Sequence, residues 1–176
     1  SFCRWYCSLT RVMNELQRAS RQELAEIFQM FIEAKQQMNR RKIYQWTDTY
    51  PSLEILAKDI EKKELFVLKD ENKNIVSAGV LSVDSLSNCS KEYHGIRTIQ
   101  RLVARPSQAG QGFGRQWIRS CLEQQCDEGE TLLSITNHTN LPMQRLFVKT
   151  GFLKVGETTI EGREAFGPFY IFKRNR

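Results

Sequence analysis

A chain of 176 residues with 40% hydrophobic content suits one domain with a full core, and no run approaches the ~18 apolar residues of a membrane helix. The five cysteines, Cys3, Cys7, Cys89, Cys121 and Cys126, are odd in number and lack paired metal spacing, which fits reduced thiols in the cytoplasm better than a metal cluster. The net charge of +6 gathers partly in Arg40-Arg41-Lys42 and Lys173-Arg174-Asn175-Arg176, read here as a solvated helix end and a solvated tail rather than a nucleic-acid surface.

In chain order, Ser1 to Val12 carries Phe2, Trp5 and Tyr6 and precedes Met13-Asn-Glu-Leu16, which reads as a natural start. Residues 1–12 are therefore expected as an extension and 13–176 as a single domain. The extension lacks the flanks of a signal peptide, and its aromatics are expected to pack against something, which keeps a homodimer open. Leu16 to Ala19 suits a short strand. Ser20 with Glu23 is a capping-box pattern, followed by the stripe Leu24, Ile27, Phe28, Phe31 and Ile32. Ser52 caps a second helix with Leu53, Leu56 and Ile60 inward. Glu64 to Leu68 and Ile75 to Val83 read as a hairpin around Lys69 to Asn74, and Asp84 to His94 as a polar loop.

The most informative stretch follows. Ile99, Leu102, Val103 and Ala104 suit a buried strand, then Gly110, Gly112 and Gly114 alternate, then Phe113, Trp117, Ile118, Cys121 and Leu122 fall on one helical face. A glycine turn at a helix N-terminus lets ligand oxygens approach the backbone, and the helix dipole favours phosphate there. A Rossmann loop would need Gly-x-Gly-x-x-Gly with an acid about 20 residues on, and a P-loop would need Gly-Lys-Ser/Thr. Neither fits Gly110-Gln-Gly-Phe-Gly114-Arg115. Downstream come the strand Leu132 to Ile135, a helix from Asn140 to Gly151, and the closing strands Phe152 to Thr158 and Phe166 to Phe172 around a turn at Glu161-Gly162. Asn140 suits its helix cap, Pro142 an early position and Gly151 the left-handed end. This order predicts a mixed α/β sheet.

Ala109 to Gly114 resembles the acetyl-CoA-binding motif of the GNAT N-acetyltransferases, Gln/Arg-x-x-Gly-x-Gly/Ala, with Ala109 in place of the usual Gln or Arg. Asn140 to Phe152 resembles the family's Asn-x-x-Ala-x-x-Leu-Tyr-x-x-x-Gly-Phe segment. Gln45-Trp46, Tyr50-Pro51 and Thr136-Asn-His138-Thr-Asn140-Leu-Pro-Met143-Gln144 are similar to a bacterial branch of that family. The resemblance covers about Leu16 to Lys173 and implies a central mixed sheet with splayed middle strands and about four flanking helices.

It also implies acetyl-CoA as co-substrate and a primary amine, on a small molecule or peptide, as acceptor by direct attack. The cofactor-binding set it implies is Val103, Ala104, Gln108, Ala109, Gly110, Gln111, Gly112, Phe113, Gly114, Arg115, Asn140 and Phe147. A backbone N–H near Val103 to Ala104 would polarise the thioester carbonyl. Gln108 or Arg115 would supply the polar side chain toward the pyrophosphate that Ala109 does not have. The family's usual acid is the Tyr of the second motif; Phe147 stands there and has no proton to give. For the base, His138 and Glu92 are the candidates, compared with His94; an imidazole pKa near 6.5 suits proton transfer. A non-catalytic acetyl-CoA-binding regulatory module is the alternative, and a nucleic-acid binder would leave the glycine turn unexplained.

Overall fold

The computed structural model describes residues 15–108 and 110–175, so the expectations for residues 1–12 and for Ala109 lie outside the described residues. Seven strands form one sheet: β1 (Gln17–Arg18), β2 (Leu65–Lys69), β3 (Ile75–Val83), β4 (Arg97–Ala104), β5 (Thr131–Asn137), β6 (Leu153–Thr158) and β7 (Phe169–Asn175). Their spatial order is β1-β2-β3-β4-β5-β7-β6. Four α-helices accompany them among the described residues: α1 (Leu24–Arg40), α2 (Leu53–Glu61), α3 (Phe113–Gln124) and α4 (Leu141–Lys149).

The local signals form as physics requires. The Ser20 N–H donates to Glu23 Oε1 at 2.8 Å, closing the capping box, although a 3-10 turn (Arg21–Glu23) intervenes before α1. Ser52 Oγ accepts from Ile55 N–H at 3.1 Å and starts α2. The β2–β3 hairpin is tied by Asp70 Oδ1, which accepts from the N–H groups of Asn72 and Asn74, both at 2.9 Å. An acceptor side chain so placed satisfies orphan donors at a turn.

Three hydrophobic clusters pack on the sheet, a small one of Leu86, Tyr93, Leu133 and Ile171 and two larger ones under the helices. On one face α1 and α2 bury Ile27, Met30, Phe31 and Leu56 against Val67, Ala78, Val80 and Val103. On the other, α3 and α4 bury Trp117, Ile118, Cys121 and Phe147 against Phe66, Ile99, Leu132 and Phe172. Each fully buried apolar side chain contributes about 1.5–3 kcal/mol. Trp117 fixes α3: its Nε1 donates to the Phe66 carbonyl at 3.0 Å, and its ring lies where a Cβ at Gly79 would come within 2.6 Å. Cys121 is a buried thiol, as expected, and its pKa is pushed far up by a hydrogen bond with Cys126 and by burial. Such a thiol is inert.

Two expectations at the C-terminal end are corrected. Phe166 lies in a 3-10 turn (Glu164–Phe166), and β7 begins only at Phe169. The basic tail through Asn175 is strand: Lys173, Arg174 and Asn175 pair with Leu133, Leu132 and Thr131 of β5. Charges concealed it: Lys173 and Arg174 are only half-buried and Asn175 is exposed, so this end of the strand carries no apolar alternation.

One departure from regular pairing makes room for function. β4 and β5 run parallel but pair only at Arg97↔Leu132, Thr98↔Leu133 and Ile99↔Ser134. Beyond Ile99 they part, while β4 stays on β3 as far as Ala104. The register between β3 and β4 shifts at Ala78 to Val80, where Arg101 adopts φ 48°. Such a bulge bends one strand away from its neighbour. The sheet is splayed in the middle, as expected.

Candidate active site

The gap between β4 and β5 opens into three adjoining cavities. The central one, of about 220 Å³, is walled by Ile99 to Ala104 of β4, Ile135 and Thr136 of β5, Met38 and Gln45 from the α1 side, and Asn140, Met143, Leu146 and Phe147 of the α4 side. A second, of about 540 Å³, continues along the end of β4 to the glycine turn. It shares Leu102, Ala104, Met143 and Leu146 with the first. The third, of about 460 Å³, lies on the far side of the gap and shares Gln45, Trp46, Arg101 and Ile135 with the first. A ligand can therefore thread from the glycine turn through the splay.

The glycine turn has the geometry its composition called for. Gly112 is the N-cap of α3 with φ 77°, in the left-handed region that disfavours side chains, and a Cβ there would meet nothing within 4 Å. Gly110, Gly112, Phe113, Gly114 and Arg115 all line the second cavity, whereas Gln111 is exposed beside it. Gln108 ends the 3-10 turn Pro106–Gln108. Four cations, Arg105, Arg115, Arg145 and Lys149, line this cavity, and among the described residues no carboxylate does. Arg105 is engaged by Glu26 at 2.9 Å. A row of cations at a helix N-terminus with open space above a glycine backbone fits a polyphosphate.

The β4 edge supplies polar backbone to the gap. Arg105 N–H donates to the Val76 carbonyl at 2.8 Å, and Ala104 and Val103 stand opposite Ser77 and Ala78. Because peptide groups alternate along an antiparallel pair, Val103 turns its own toward β3 and Ala104 turns its own toward the gap. Ala104 is therefore the residue of that pair whose N–H faces the gap.

Asn140 and Gln45 lock the opposite wall. Asn140 Oδ1 accepts from Met143 N–H at 3.3 Å, capping α4, and its Nδ2 donates to Gln45 Oε1 at 3.4 Å. The same Gln45 oxygen accepts from Thr136 Oγ1 at 2.9 Å and from Asn137 N–H at 2.8 Å. Gln45 thus joins the segment after α1 to the free end of β5, with Trp46 packed on Phe31 at 5.0 Å beside it. Phe147 is 2% exposed and packs on Phe152 and Phe172, with ring centroids 5.6 and 5.4 Å away, and it also lines the central cavity.

The acid–base candidates lie elsewhere. The chain turns after β5 so that His138 N–H donates to the Pro168 carbonyl, and the His138 ring sits over Gly167 with Nε2 3.1 Å from the Phe166 carbonyl. Glu92 lies in an exposed surface turn (Lys91–Tyr93), and His94 is exposed after it. None of the three lines any of these cavities. The structure brings together the glycine turn, Ala104, Asn140 and Phe147, and leaves His138 and Glu92 apart.

It also brings in residues that sequence reasoning missed. Arg101, turned by the bulge, forms a bidentate pair with Asp59, at 2.8 Å through Nε and 2.7 Å through Nη2, and donates from Nη1 to Tyr50 Oη at 2.8 Å. Burial pushes the Asp59 carboxyl up while the Arg101 fork pulls it down. Gln100 donates from Nε2 to Ser82 Oγ at 2.7 Å and to Ser85 Oγ at 3.0 Å. Arg163 lies over the Tyr50 and Phe169 rings. The one available signal was a charged residue, Arg101, inside an apolar strand.

The description "Acetyltransferase (GNAT) domain" belongs to a family model that matches residues 15–168. No match was found among curated proteins. An acetyltransferase of the GNAT family from Streptococcus agalactiae 2603 superposes with a TM-score of 0.79 at 16% identity, over 92% of this chain and 95% of that one. A putative acetyltransferase from Staphylococcus aureus Mu50 gives a TM-score of 0.63 at 25% identity, over 91% and 97%. A phosphinothricin acetyltransferase from Sinorhizobium meliloti, solved in complex with AcCoA, gives 0.68 at 15% identity, over 91% and 86%. With the family model covering most of the chain and the splayed sheet beneath it, this protein belongs to the GNAT acetyltransferase family.

Proposed function

We propose that this protein moves the acetyl group of acetyl-CoA to a primary amine in a single direct step, in the cytoplasm. The observation that carries this reading is the continuous path from a cationic glycine turn, through a gap with an exposed β4 edge, to a separate polar cavity on the far side. Acetyl-CoA supplies an activated thioester. The N–H groups at the start of α3, with Arg115, Arg145 and Lys149, would hold its phosphates. Ala104 would present its N–H toward the thioester oxygen, where negative charge develops during attack. The far-side cavity would hold the amine, so both reactants meet in the gap and proximity supplies much of the rate.

Phe147 donates no proton, and this reading needs none from it: a thiol of ordinary pKa near ~8.5 departs as thiolate. His138 and Glu92 would serve as acid–base residues only if the chain around the far-side cavity rearranged, so the amine's proton passes to water in that open cavity. The test is thiol release from acetyl-CoA across a panel of amines. Release that depends on both the protein and an amine is expected. Tight acetyl-CoA binding without release from any amine would favour the non-catalytic module.

A further inference from the structure

We propose that the acceptor is a small amine carrying an anionic group, in the simplest case a carboxylate, which docks on the guanidinium of Arg163 in the far-side cavity. The acceptor role rests on the acetyl-transfer reading above; the anion site rests on the geometry that follows.

Arg163 sits in the connection between β6 and β7, with its Cζ 4.3 Å from the Tyr50 ring centroid and 5.0 Å from that of Phe169. Its Nη1 donates to the Gln45 carbonyl at 3.0 Å. Two rings and one backbone bond hold the planar group in place, and no carboxylate among the described residues lies within ion-pair distance of it. The neighbouring carboxylate is already engaged: Asp59 is bound by both arms of the Arg101 fork. Arg101 and Arg163 both line the cavity, and Asp59, bound behind Arg101, offsets one of their two positive charges. Glu161 lines the same cavity from an exposed position and pairs with neither arginine.

Burial, and after it the like charge of Arg101, push the Arg163 pKa below the usual arginine value, against the Tyr50 hydroxyl, which holds it up. A guanidinium has five N–H donors in a fixed fork. With one donor on the Gln45 carbonyl and the Tyr50 hydroxyl beside it, the guanidinium keeps donors free for a carboxylate or phosphonate, with little ordering cost on binding. The cavity also offers Ser85, Gln100 and Thr158 and adjoins the gap through Gln45 and Ile135. An amine tethered to an anion on Arg163 can thus reach the place where the acetyl group would be presented.

The decisive experiment is ligand-observed NMR binding of α- and ω-amino acids against their matching amides, on the whole protein without acetyl donor. Aminophosphonates serve as a further arm that separates carboxylate from phosphonate preference. At least one acid is expected to bind about tenfold more tightly than its amide. Arg163→Gln should bring that acid to the level of the amide while acetyl-CoA affinity by calorimetry stays unchanged. Equal binding of acids and amides to the wild type overturns the proposal, as does binding of no anionic amine. A folded Arg163→Gln protein that keeps the preference also overturns it. The wild-type comparison stands even if the variant does not fold. Failure of the acetyl-transfer reading looks different: the anionic amine binds but is never acetylated.

Discussion

Replacing Gly112 by Ala separates a role in the backbone from a role in binding. At φ 77° any L side chain is strained by the left-handed conformation, at a cost of about 1–2 kcal/mol. A Cβ there meets no atom within 4 Å, so no clash adds to the strain. For a domain of this size, each kcal/mol lowers Tm by about 2–4 °C, which predicts a fall of about 2–8 °C. Gly129, in the turn between α3 and β5, provides the matched comparison, with φ 80° and the same open surroundings. It precedes the paired start of β5, whereas Gly112 caps the helix that follows the far end of β4. Gly129→Ala should lose the same stability and keep full acetyl-CoA affinity. Gly112→Ala should lose at least about tenfold in affinity, equivalent to ~1.4 kcal/mol, because its Cβ occupies the wall that phosphate must approach. Scanning calorimetry and isothermal titration on the two variants supply both numbers. Equal affinities with equal Tm losses would refute the placement of the phosphates.

Asn140→Ala removes a helix cap and should cost about 1 kcal/mol. Gln45 Oε1 keeps its other two donors, so no buried acceptor is orphaned; weaker acetyl-CoA binding in titration would show that the amide also faces the ligand, and unchanged binding would show that it only caps. Gly79→Ala drives a methyl to within 2.6 Å of the Trp117 ring and should cost about 1–3 kcal/mol in denaturant unfolding. Glu130 is held below the usual carboxylate range mainly by the Arg97 guanidinium, 2.8 Å away. The stability it adds is present above the unfolded pKa of about 4.3 and is lost as pH falls through the lower folded value. Glu130→Gln should therefore lower Tm at neutral pH, and the gap to wild type should close in acid.

What the sequence made legible was local. Gly112 must be glycine for its φ, Asn140 and Ser52 advertise helix starts, and the Trp117 stripe declares the buried face of α3; each signal lies within a few residues of its effect. The site's far side was not legible because distant segments assemble it. Arg163 finds its place against Tyr50, Phe169 and Gln45, and no spacing rule joins those four positions. The bulge that aims Arg101 lies opposite Gly79 of the neighbouring strand, against which a tryptophan of the distant α3 packs. His138 drew attention by its position after β5, yet the chain turns toward Pro168 there, which carries the ring away from the gap.

Incubating the protein with acetyl-CoA and a panel of amines that includes amino acids, and reading the products by mass spectrometry, tests the central claim most directly. The account predicts an acetylated amine that forms only with active protein and diminishes in Gly112→Ala but not in Gly129→Ala. Product forming equally in both variants would contradict the assigned groove, and acetyl-CoA left intact with every amine would contradict acetyl transfer itself.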